Sequence, residues 1–135
     1  MNDKMLVQKA MEVRENSYAP YSGFAVGAAL LCADGTVFTG CNVESAAYAP
    51  TVCAERTAFV KAVSEGQREF VTIAIVGGKV DGALDACYPC GVCRQVMAEF
   101  CCEDFRILMA TSANDWAEET LGALLPNRFG PDNLR

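Results

Sequence analysis

The sequence contains no histidine. That absence removes every mechanism needing an imidazole base, nucleophile partner or metal ligand, including Ser-His-Asp triads, Cys-His dyads and Cys₂His₂ fingers. Cations are also scarce, with 11 Lys and Arg against 17 Asp and Glu and a net charge of −6. A chain so poor in Lys and Arg lacks the clusters that neutralise phosphates, so no nucleic acid polymer is expected as partner. An anionic membrane surface is disfavoured for the same reason. No apolar run reaches transmembrane length, and Asp3, Lys4, Lys9, Glu12 and Arg14 break up any secretory leader. Internal repeats, low-complexity stretches and Pro- or Ser-rich linkers are missing too, so residues 1–135 are expected to form a single domain.

What is present is thiol and apolar surface. The chain carries 8 cysteines and is 52% hydrophobic. A domain of this size buries roughly 68% of its unfolded surface, enough for a core without disulfide staples. The expectation is a reduced, cytoplasmic protein whose clustered cysteines serve as metal ligands or redox thiols. The apolar excess points to an oligomer interface.

Met5, Leu6, Ala10 and Val13 recur at helical spacing behind Asn2 and Asp3 as N-caps, predicting a helix that ends near Ser17. Phe24 to Cys32 is a nearly continuous apolar strand, which Ala33-Asp34-Gly35 turns into a second strand from Val37 to Val43. Cys53 to Glu65 reads as a helix closed by Gly66. Val71 to Val76 reads as a buried strand, Gly77 to Asp85 as loop, Gly91 to Phe100 as a helix and Phe105 to Ala110 as another strand. A short helix is expected around Trp116 to Leu121. Helices alternating with apolar strands predict an α/β sheet covered on both faces.

Three thiols fall where predicted helices begin: Cys53 in Thr51-Val52-Cys53-Ala54-Glu55-Arg56, and Cys90 with Cys93 in Pro89-Cys90-Gly91-Val92-Cys93-Arg94-Gln95. A helix N-terminus favours thiolate over thiol, and spacing i, i+3 sets Cys90 and Cys93 on one face of a first turn. Three thiolates hold Zn²⁺ tetrahedrally with a fourth position left to water, whose pKa falls towards neutrality. Such a set leaves negative charge uncompensated, and Arg56, one turn from Cys53, is placed to offset it. Glu55, two residues after Cys53, is the candidate proton carrier. Cys-x-Glu followed by Pro-Cys-x-x-Cys is the arrangement of zinc nucleobase deaminases in their all-cysteine form.

Other readings stand beside this one. CxxC alone also marks a redox pair, and Cys87, Cys90 and Cys93 repeat like part of an iron–sulfur run. Cys53, Cys87, Cys90 and Cys93 would together close a non-catalytic Cys₄ zinc site. Cys32, Cys41, Cys101 and Cys102 have no such pattern and read as buried small hydrophobes.

From Tyr18 to Leu134 the sequence resembles the small cytidine deaminase family. The resemblance rests on Tyr18-Ala19-Pro20-Tyr21-Ser22, Phe24 to Leu30, Asn42-Val43-Glu44, Cys53 to Ala58, Pro89 to Gln95, Leu124-Leu125-Pro126 and Phe129-Gly130-Pro131. It implies a three-layer α/β/α sandwich with a five-stranded mixed sheet, assembled as a homotetramer. It implies one Zn²⁺ per subunit on Cys53, Cys90 and Cys93, with Glu55 as proton shuttle and Arg56 hydrogen-bonded to the thiolates. The nucleoside substrate would be cytidine or deoxycytidine, hydrolysed to uridine or deoxyuridine and ammonia in pyrimidine salvage. By the same resemblance Asn42 and Glu44 bind the ribose 3′-hydroxyl, Phe24 packs on the base, and the Ala54 N–H meets O2. Ala46 and Tyr48 approach from a neighbouring subunit, and Phe129 stacks on the base across a subunit boundary. Blasticidin S deaminase shares the Cys-Ala-Glu and Pro-Cys-x-x-Cys-Arg-Gln segments, but Asn42-Val43-Glu44 favours an ordinary ribose. Two positions depart from the family pattern: Tyr88 stands where a small residue is usual, and Pro50 removes a backbone donor ahead of the Cys53 helix.

Overall fold

The computed structural model describes residues 1–135. Its sheet takes the strands in the order β2 (Val37–Cys41), β1 (Phe24–Cys32), β3 (Phe70–Lys79), β5 (Arg106–Ser112) and β6 (Asp115–Thr120), with the two-residue β4 (Leu84–Asp85) paired to β3. Only β3 and β5 are parallel, so the sheet is mixed. Helix α1 (Asp3–Arg14) covers one face, and α2 (Ala54–Ser64) and α3 (Gly91–Phe100) cover the other. This is the expected three-layer sandwich with five principal strands.

Side-chain size along the strands explains the layering. Successive residues of a strand face opposite sides. Leu30, Ile73, Ile75, Ile107 and Met109 face α2 and α3, whereas Ala29, Ala74, Val76, Leu108 and Ala110 face α1. Bulky residues fill the space under two helices, and the three alanines let a single helix come close. At Gly27 the approach is closest: a Cβ there would stand 2.1 Å from the Ala10 carbonyl oxygen. The Arg14 guanidinium fastens the end of α1 to the sheet, donating to the carbonyls of Ala25 at 2.8 Å and Gly78 at 2.9 Å.

On the other face Ala54, Ala58 and Ala62 form a small stripe along α2 that lies on β2 and β1. Phe59, 1% exposed, packs against Phe70, Phe100 and Phe105, tying α2 to β3 and α3. Truncating such a core aromatic costs ~3–5 kcal/mol.

The structure corrects several boundaries. β2 ends at Cys41 rather than Val43, although Val43 still bridges to Tyr18 and Val52 in extended conformation. The expected loop from Gly77 is strand as far as Lys79, because β1 pairs with Gly77 to Lys79 and β4 adds pairs at Gly77 and Gly78. The expected helix at Trp116 is strand β6, antiparallel to β5, and the helix α4 follows at Leu121–Leu124. Of the four cysteines expected to be buried, only Cys32 is; Cys41 and Cys101 are half-buried, and Cys102 is exposed with its thiol donating to Asp104 at 2.6 Å.

Candidate active site

Helices α2 and α3 lie side by side and begin at the same end of the sheet. Cys53 is the N-cap of α2, and Cys90 is the N-cap of α3, its sulfur accepting the Cys93 N–H at 3.5 Å. The sulfurs of Cys53 and Cys90 are 3.8 Å apart, those of Cys90 and Cys93 3.4 Å, and all three lie within 4.8 Å of one another. Zinc–sulfur bonds of ~2.3 Å in a tetrahedron separate sulfurs by about 3.8 Å, so this donor set fits one zinc ion with a vertex to spare. Two helix N-termini aim their partial positive charge at the thiols. Cys53 is pushed down to about 5, first by the neighbouring Cys93 thiol and further by Arg56 beside it. Cys93 is pushed up by the neighbouring Cys53 sulfur and by burial.

Cys87 stands outside the three-thiol group. It packs against Gly77, where a Cβ would meet the Cys87 Cβ and Sγ at 2.8 Å, and burial pushes its thiol up to about 12. Its sulfur is not among those that lie within 4.8 Å of one another, so the four-ligand reading is not what this geometry builds.

Glu55 sits in the first turn of α2 and is 4% exposed. A first-turn glutamate ordinarily points to solvent; this one is turned into the protein. Burial pushes its carboxyl up to about 7, with the negative charge at Cys53 adding to the effect. Arg56 leans the other way, with Nη2 at 3.5 Å from the Cys53 sulfur and 3.4 Å from the Thr51 carbonyl oxygen. Its Nε is buried and has no partner in the chain.

Beside the thiols lies a cavity of about 260 Å³, lined by residues from β1, the segment that follows β2, the start of α2, and the Cys87–Cys90 loop. Phe24, Asn42, Glu44, Ala54 and Glu55 all line it, together with Cys53 and Cys90. A larger cavity of about 510 Å³ lies at the far end of α3, between Cys102 and the C-terminal tail, and holds none of the clustered thiols. The chemistry therefore selects the smaller one.

The polar groups in the smaller cavity are already held by the protein. Asn42 donates to the Phe24 carbonyl at 2.8 Å and accepts from the Val26 N–H at 2.9 Å and from the Ser17 hydroxyl. Glu44 accepts from the N–H groups of Tyr21 at 3.0 Å and Ser22 at 3.1 Å, and from the Ser22 hydroxyl. The Ser22 hydroxyl holds the Glu44 carboxyl below the usual carboxylate range. Ser17 and Ser22 are thus site-shaping residues that the sequence reading missed; the Tyr21-Ser22-Gly23 turn next to Phe24 was their only local signal. Ala46, Tyr48 and Phe129 do not line the cavity of their own chain, and all three are exposed. Tyr48 adopts a left-handed φ of 60° and is 77% exposed.

The geometry agrees with what this chain is similar to. Residues 1–109 match the family model for the cytidine and deoxycytidylate deaminase zinc-binding region. The chain is 46% identical over 134 residues to cytidine deaminase of Sporosarcina psychrophila, covering 99% of this chain and 96% of that one. It is also 46% identical to cytidine deaminase of Halalkalibacterium halodurans, covering 99% and 98%. The crystal structure of cytidine deaminase from Burkholderia pseudomallei superposes with a TM-score of 0.86 at 44% identity, covering 96% of this chain and all of that one. With its three-thiol zinc centre, this chain belongs to the cytidine and deoxycytidylate deaminase family.

Proposed function

We propose that this protein hydrolyses the 4-amino group of cytosine in free cytidine and deoxycytidine, giving uridine or deoxyuridine and ammonia. The observation that carries this reading is the buried Glu55 carboxyl in a cavity shared with the thiols of Cys53 and Cys90. Cys53, Cys90 and Cys93 are the zinc ligands. Bound zinc supplies a water activated for attack on a ring carbon at neutral pH.

Glu55 does the proton work. It takes the proton of the attacking water, delivers one to N3 of the pyrimidine, and passes one to the departing amine as the C4–N bond breaks. A carboxyl near neutral is suited to both giving and taking a proton. Arg56 offsets the charge of the thiolates. The Ala54 N–H, one of the unpaired donors of the α2 first turn, meets the base O2. Phe24 packs on the base. Asn42, with one N–H beyond its bond to Phe24, and Glu44, ionised, hold the ribose 3′-hydroxyl.

The family spans nucleoside and nucleotide deaminases. No Lys or Arg lines this cavity, and Glu44 is ionised within it. A 5′-phosphate would find no cation there, so the neutral nucleoside is the substrate. The sites are completed in a homotetramer, with Ala46, Tyr48 and Phe129 reaching a neighbouring subunit. The exposure of Tyr48 and of Phe129, 59% exposed, supports that assembly, since such aromatics are costly to leave in water. The role is pyrimidine salvage in the cytoplasm, and no helix is long and apolar enough to cross a membrane.

The test follows cytidine absorbance with purified protein before and after chelation. Turnover that is lost with the metal and restored by zinc is expected; zinc-loaded protein that leaves cytidine unchanged overturns the reading. Glu55→Gln should keep its zinc and lose nearly all turnover, and near-normal activity would remove the role given to Glu55.

A further inference from the structure

Ahead of Cys90, the residues Cys87 and Tyr88 form a cavity wall that the chemistry above leaves without a task. Tyr88 is its largest side chain, lining the cavity while 48% exposed, which places its ring at the mouth rather than in the core. The backbone that carries the ring is held from both sides. A residue before proline is confined to extended conformations, and Tyr88 precedes Pro89. Pro89 is buried, and its carbonyl accepts from Arg94 Nε at 2.7 Å, while Arg94 Nη1 reaches the Leu124 carbonyl at 2.6 Å. On the other side Cys87 is wedged against Gly77, where a Cβ would stand 2.8 Å from its Cβ and Sγ. The ring is therefore presented by an anchored segment and does not swing with a free loop.

Its position along the chain fixes which part of a ligand it meets. Two residues span at most about 7 Å, so Tyr88 stands close to Cys90. The thiols of Cys53 and Cys90 open into the same cavity, and the carbon that reacts must come to that end. The group leaving from that carbon is the exocyclic amine. Asn42 and Glu44, by contrast, enter from the segment that follows β2.

We propose that Tyr88 is a specificity-determining residue whose ring limits the size of the group that the exocyclic N4 of cytosine can carry. The inference rests on the deaminase reading of the same cavity. It concerns one reaction: water adds at C4, the C4–N bond breaks and a C4 carbonyl forms, with one water proton ending on the pyrimidine N3 and the other on the leaving amine or its substituted form. N4-methylcytidine would thus yield uridine and methylamine, with no oxidant or reductant involved.

The experiment measures kcat/KM for cytidine, N4-methylcytidine and 5-methylcytidine on zinc-loaded wild type and on the Tyr88→Ser, Tyr88→Ala and Tyr88→Phe proteins. The reading is the ratio of the N4-substituted substrate to cytidine on one preparation, in which any loss of folded enzyme cancels. Tyr88→Ser and Tyr88→Ala are expected to raise that ratio about tenfold or more, the scale on which a pocket discriminates a methyl group. Tyr88→Phe, which keeps the bulk, should retain the wild-type ratio. An unchanged ratio in the two small variants overturns the proposal. So does a Tyr88→Phe ratio that matches theirs, or a gain confined to 5-methylcytidine. Wild-type protein that turns over none of the three substrates refutes the deaminase reading itself, a separate failure.

Discussion

Gly40 lies so close under Ala58 that a Cβ built on it would stand 2.6 Å from the Ala58 backbone nitrogen and 2.7 Å from the Ala54 carbonyl oxygen. Both contacts are helix backbone, which cannot step aside as a flexible side chain would. The first turn of α2 therefore sits where it does because β2 has no side chain at this point. That turn carries Cys53 and Glu55, while Cys90 and Cys93 ride on α3. Gly40→Ala should lift α2, spread the thiol cluster and reduce zinc per folded chain, measured by metal analysis of the folded fraction. Gly27→Ala disturbs α1 on the opposite face, and is expected to lower Tm with zinc stoichiometry kept. Full zinc in Gly40→Ala would show that α2 is not seated by this contact.

Arg56 invites a test that does not depend on turnover. Its Nη2 faces the Cys53 sulfur, and its side chain is the cation that the all-thiolate set needs nearby. Removing a group hydrogen-bonded to a metal ligand typically costs roughly 10–100-fold in metal affinity. Arg56→Ala should lose zinc to a competing chromophoric chelator with a shift of that size. Zinc affinity equal to wild type would mean that the helix N-termini suffice to balance the thiolates.

The parts of this architecture that could be read from the chain are those decided locally. Strand β1 came out residue for residue because an apolar run is bounded by Gly23 and the Ala33-Asp34-Gly35 turn. Cys53, Cys90 and Cys93 were legible because each marks a helix start. What failed was decided at a distance. Asp115 to Thr120 has the helix formers Ala117, Glu118 and Glu119 at its centre, yet pairing along β5 makes it a strand, a tertiary override of propensity. The C-x₂-C-x₂-C spacing gives Cys87 the same standing as its neighbours; only its packing on Gly77 separates it from the cluster. The serine bonds to Asn42 and Glu44 join segments more than twenty residues apart, so no local pattern announces them.

Thr72 offers a gain in stability. It is 1% exposed on β3, and its Oγ1 has no hydrogen-bond partner in the chain. An unsatisfied buried hydroxyl costs about 1–3 kcal/mol. Thr72→Val keeps the β-branched shape and removes that cost, so a gain of about 1 kcal/mol is expected. For a domain of this size that corresponds to a rise in Tm of roughly 3–4 °C. The comparison should be made by calorimetry at saturating zinc, because metal loss otherwise dominates unfolding. A fall in Tm would mean that the hydroxyl is satisfied by water.

Arg106 links the start of α1 to the edge strand, reaching Asp3 at 2.6 Å and Glu118 at 2.9 Å. The guanidinium holds the Glu118 carboxyl below the usual carboxylate range. A carboxyl whose folded pKa is depressed contributes stability above its unfolded value, near 4.3, and loses it as pH falls through the folded value. Glu118→Gln should therefore be less stable than wild type at pH 7, and the gap should close as the pH falls below about 4. Both side chains are more than a third exposed, so solvent screening limits the gap to under ~1 kcal/mol. Raising the salt concentration to 1 M should shrink it further at pH 7, since the Debye length falls to about 3 Å. Urea midpoints of the two proteins across pH, each with the same zinc loading, measure the difference directly. Because any zinc loss at low pH is common to both, it drops out of the comparison. A gap that widened on acidification would assign the stabilisation to something other than the ionised Glu118–Arg106 pair.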